Sequence, residues 1–90
     1  MIQKQRGSAR KENIMKKVYL VTFYYGDVER SQIETTRYVL AENQDEAEAM
    51  GYELGDLFQF FFGWVEAEPA KNPPSNPWTW EDIKEEWENK

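Results

Sequence analysis

The chain has 90 residues, 17 Asp or Glu against 11 Lys or Arg, and a formal net charge of −6. It contains no Cys and no His, which excludes disulfide stapling, thiolate nucleophiles, the usual zinc ligands and the commonest general base. Its length allows one domain, and four Trp, five Tyr and five Phe supply the apolar surface that so short a chain needs to fold. A secreted domain this small would ordinarily carry disulfides or a metal, so the expected location is a reducing cytoplasm.

Residues 1–14 are polar and basic, without periodicity, around Gly7-Ser8. They are expected to form a disordered basic extension ahead of a single α+β domain over 15–90. Two readings of it stand: a native tail, or leader codons before a natural start at Met15. Lys11-Glu12 can be encoded AAGGAG, a ribosome-binding sequence, with Asn13-Ile14 as spacer. Because Lys4, Arg6, Arg10 and Lys11 face only Glu12 there, the remaining chain holds seven basic and sixteen acidic residues, a net of −9.

Lys17 to Tyr25 is dense in β-branched and aromatic residues and predicts a strand. Its apolar part, Val18 to Tyr25, follows Lys16-Lys17 as a signal-peptide core would, yet no small-x-small cleavage site follows, and no segment is long and apolar enough to span a membrane. Both alternate sets, Val18/Leu20/Thr22/Tyr24 and Tyr19/Val21/Phe23/Tyr25, are largely apolar, which predicts a central strand covered on both faces. A polar turn over 26–32 leads to a second strand, Ile33 to Ala41, of edge character.

Asn43 with Glu46 three residues on predicts a capped helix, and Ala47, Met50 and Leu54 form its core stripe. Gly55 is placed to end it in a left-handed conformation. Phe58 to Val65 predicts a third strand with Phe58, Phe60, Phe62 and Trp64 on one face. Residues 68–77 hold four prolines and predict a stiff extended linker. Its Pro74-Ser-Asn-Pro77 fits a polyproline-ligand pattern too common to outweigh that reading. Thr79 then caps a helix over 79–89, with Asp82 as box partner and Trp80, Ile83 and Trp87 on one face. The expected fold is a three-stranded antiparallel sheet, β-β-α-β, with one packing helix and this C-terminal helix covering the sheet's second face.

Acids crowd the helices. Glu81, Asp82, Glu85, Glu86 and Glu88 of the C-terminal helix, with Glu46, Glu48 and Glu53 of the first, are the candidate partner-binding residues. Their field repels phosphate and attracts a basic protein surface. The competing reading is that they only keep an aromatic-rich domain in solution. Paired carboxylates such as Glu66/Glu68 and Glu85/Glu86 fall short of catalysis, which would need a cleft and a desolvated acid. No enzyme activity, cofactor or metal is expected; calcium-loop spacing and phosphate-loop glycines are both absent from the sequence.

Met15-Lys-Lys-Val-Tyr-Leu-Val-Thr-Phe and Val39-Leu-Ala-Glu-Asn-Gln-Asp-Glu-Ala-Glu-Ala49 together resemble small phage and mobile-element accessory proteins, including anti-CRISPR and other anti-defence types. The resemblance implies a host-directed inhibitor that occupies a protein surface, and it transfers no site residue. Three functions therefore stand: a protein-binding inhibitor or adaptor using acidic helix faces; a structural or housekeeping domain that homodimerises; and a nucleic-acid binder that stacks bases on the aromatic sheet at Phe58, Phe60 and Phe62 and uses the basic N-terminal tail.

Overall fold

In the computed structural model, which describes residues 16–27 and 29–90, the elements run β1 (Lys17–Tyr25), β2 (Gln32–Ala41), α1 (Gln44–Phe58), β3 (Trp64–Pro69) and α2 (Trp80–Glu88). The expected extension over 1–14 lies outside the described residues. The sheet is antiparallel in the order β2-β1-β3, so the α+β class and the central place of the first strand are as expected. Gly26 opens the hairpin at φ 97°, where an added Cβ would meet the Arg30 carbonyl oxygen at 2.8 Å. The Asp27 carboxylate closes the turn by accepting from the Arg30 N–H at 2.7 Å. A bulge follows: Phe23 pairs with Thr35 and Tyr24 with Ile33, leaving Glu34 unpaired.

One face of β1, through Tyr19, Val21 and Phe23, joins Val39, Ala41, Val65 and Ala67 against Ala47, Met50, Leu54 and Leu57 of α1. Asn43 caps α1 as expected, its side chain accepting from the Glu46 N–H at 2.8 Å. The Glu46 carboxylate reaches one residue further back than a standard capping box, to the Glu42 N–H at 2.6 Å. Gly51 weakens the helix by up to about 1 kcal/mol relative to Ala, and the structure supplies its reason. A Cβ there would stand 2.6 Å from the Val21 side chain, so the glycine lets α1 settle onto the sheet.

Three boundaries differ from the sequence reading: the end of α1, the start of β3, and the start of the linker, whose Glu68 and Pro69 belong to β3. Gly55 does not end α1; it is buried inside the helix, because the Phe62 ring lies where its side chain would be. The left-handed cap is Gln59, φ 58°, whose N–H returns to the Gly55 carbonyl. The third strand correspondingly starts at Trp64, and residues 59–63 form a connection. Phe60 and Phe62 alternate as a strand would, but they turn inward as a plug, edge-on to Phe23 at 5.1 and 5.3 Å. Phe61 points outward and is 72% exposed.

The larger correction concerns α2. It does not cover the second face of the sheet. The linker ends in a parallel bridge on the outer edge of β2, where Trp78 donates to the Tyr38 carbonyl at 2.9 Å and accepts from the Leu40 N–H at 2.8 Å. From that edge the chain turns onto the helix side of the sheet, and α2 packs on α1. Thr79 and Asp82 form the expected capping box. Ile83 is buried, whereas Trp80 and Trp87 keep 37% and 41% of their surface in solvent.

Candidate functional site

Matching bonds set the two helices in register. The Trp80 indole N–H donates to Glu46 at 2.9 Å and the Trp87 indole N–H to Glu53 at 3.2 Å. Donors and acceptors are both seven residues apart and advance in the same direction, so α1 and α2 lie parallel, two turns in step. Parallel helix dipoles repel one another. Acids in both first turns and the Lys90 ammonium on the Leu57 carbonyl, at 2.7 Å, offset part of that cost.

This layer carries the predicted site residues, and the structure divides them. Glu46, Glu53 and Asp82 hold the fold, the first two through the indoles and the third through the Thr79 N–H. Glu48 is half-buried beside Gln44. Glu81, Glu85, Glu86 and Glu88 are exposed. Helical spacing sets Glu81, Glu85 and Glu88 in one stripe alongside the Trp80/Trp87 stripe. Altogether the two helices bear ten carboxylates and one cation, Lys84.

Between the indoles is a groove of about 320 Å³, lined by Trp80, Ile83, Trp87, Glu53, Lys84 and Glu88. Sequence reasoning found the indole stripe but not the groove, because the groove exists only where α2 meets Glu53 of another element.

The sheet's outer face is the second exposed surface, and sequence reasoning missed it. Register builds it from cross-strand rows: Ile33/Tyr24/Trp64, Thr36/Thr22/Glu66, Tyr38/Leu20/Glu68 and Leu40/Val18. None of these side chains is buried. Tyr24 and Trp64 stack at 5.4 Å, and the Trp64 N–H reaches Glu66 at 3.3 Å. The signal available was the pair Glu66 and Glu68, which alternates with Val65 and Ala67 as a half-exposed strand should.

The base-stacking platform imagined at Phe58, Phe60 and Phe62 does not form, since Phe58 ends α1 and Phe60 and Phe62 pack on the core. Among the described residues no three acids converge as a metal site, and no helix is long and apolar enough to cross a membrane. Comparison with protein-family models, curated proteins and solved structures finds no match to this chain.

Proposed function

We propose that the chain is a non-catalytic protein-binding domain that engages a basic surface of another protein through the α1–α2 layer. The observation that carries this reading is the parallel packing of the helices. It gathers carboxylates from two separate sequence segments into one layer, where the helices themselves carry a single cation, Lys84, and Lys90 follows just beyond α2. Such a field speeds association with a cationic partner and disfavours nucleic acid. The resemblance to small phage and mobile-element proteins adds the role, a stoichiometric inhibitor or adaptor.

Affinity capture from bacterial lysate tests it. The wild-type chain is expected to retain a discrete protein that a Glu81→Lys/Glu85→Lys/Glu88→Lys variant recovers at least tenfold less well, a difference of about 1.4 kcal/mol. Equal recovery by both chains removes the acidic layer as the contact.

The outer sheet face favours a second reading, self-association. The sheet edges offer only partial routes to it: Trp78 occupies the Tyr38–Leu40 stretch of the β2 edge, while Pro69 lacks an N–H and Gln44 holds the Ala67 carbonyl at 2.9 Å on β3. A dimer would therefore form face to face over Leu20, Tyr24, Tyr38 and Trp64. Light scattering is expected to give twice the chain mass under this reading, reverting to one chain with Leu20→Glu. A single-chain mass for wild type at high concentration eliminates it.

A further inference from the structure

We infer that the groove between Trp80 and Trp87 receives one large apolar side chain from a basic segment of a partner protein. This deepens, and rests on, the protein-binding reading of the same layer.

The groove's chemistry narrows its ligand. Both indole N–H groups, the only polar handles of those rings, are spent on Glu46 and Glu53. What the rings present outward is hydrocarbon, and the same two bonds hold them at fixed orientation before anything binds. The floor is Ile83. A preorganised apolar slot of this kind recognises shape and desolvation rather than hydrogen bonds. At about 320 Å³ it lies at the small end of ligand pockets, which run from roughly 300 to 1,000 Å³. That size suits a single side chain better than a cofactor.

The rim gives the charge of the flanking residues. Glu53 and Glu88 line the groove directly, and Glu81 and Glu85 continue the stripe beside it. Lys84 opposes a cation entering the slot itself, so the anchor is apolar and the positive charges belong to its neighbours in the partner. The lysine's methylene stem can extend the apolar wall while its ammonium stays in water. An apolar anchor ringed by charge pairs is the ordinary anatomy of an interface hot spot.

Short peptides test this with the full chain at low salt, followed through the indole N–H resonances. Trp64 and Trp78 stand outside the groove and serve as internal references. The probes are an acetylated, amidated Lys-Lys-Leu-Lys-Lys and its Lys-Lys-Ala-Lys-Lys counterpart. The leucine peptide is expected to move the Trp80 and Trp87 signals saturably, leave Trp64 and Trp78 in place, and bind at least tenfold more tightly than the alanine peptide. Trp80→Ala, with its fold verified by unchanged Trp64 and Trp78 signals, is expected to abolish that preference. Equal affinity for the two peptides overturns the anchor while leaving the acidic layer as the contact. No movement of either groove indole at millimolar leucine peptide also overturns the anchor. Unchanged leucine-peptide binding by the Glu81→Lys/Glu85→Lys/Glu88→Lys variant would instead sink the acidic-layer reading and leave an apolar slot without its basic flanks.

Discussion

Phe23→Ala is expected to lower the free energy of unfolding by about 3–5 kcal/mol, measured by urea denaturation. Phe23 is fully buried in the central strand, and Phe60 and Phe62 meet it edge-on, at interplanar angles of 77° and 89°. Edge-to-face pairs of this kind add about 0.5–1.5 kcal/mol beyond the area they bury. The substitution therefore does more than leave a cavity. It removes the surface on which residues 59–63 rest, and Phe62 is also the ring that fills the space above Gly55. Small domains have only about 5–15 kcal/mol in total, so the variant would sit near the edge of folding. Phe23→Leu keeps part of the volume and should fall between the two. A loss under about 1 kcal/mol for the alanine variant would mean that the aromatic plug contributes little.

The second large effect is expected at Ile83. It is the single buried residue of α2, so the helix docks through one side chain assisted by two indole bonds and the Lys90 contact. Ile83→Ala should cost about 2–5 kcal/mol. It should also shift the fluorescence of Trp80 and Trp87 to the red as their bonds to Glu46 and Glu53 open to water. Ending the chain after Ala70 should cost at least as much, since it removes the Trp78 bridge as well. If the thermal midpoint is the same in the wild type and both variants, α2 is no part of the core.

The two predictions fall on opposite sides of what the sequence reveals. Phe23 stands in a run, Lys17 to Tyr25, whose β-branched and aromatic density marks a strand wherever it is placed. The caps at Asn43 and Thr79 were equally plain, because a cap is a bond between residues a few positions apart and needs nothing distant. Helix ends were less visible. Gly55 has the residue type of a terminator, yet its role is to admit Phe62, a contact that local pattern does not encode. The alternation of Phe58, Phe60 and Phe62 likewise imitates a strand, but Phe58 ends α1 and the connection turns Phe60 and Phe62 inward and Phe61 out.

The sequence by itself determined the composition-level exclusions, the α+β class, the central first strand, both helix caps and the excess of acid on both helices. Each of these depends on residue type or on spacing within a few positions. Only the tertiary structure decided where α2 goes. An amphipathic helix after a proline-rich linker can cover any apolar surface within reach, and Trp80, Ile83 and Trp87 would suit the open sheet face as well as α1. The choice was made by the Trp78 bridge on β2 and by indole bonds to Glu46 and Glu53, which couple residues 34 positions apart. That one placement leaves a sheet face open, joins two acidic stripes into one layer and creates the groove between the indoles.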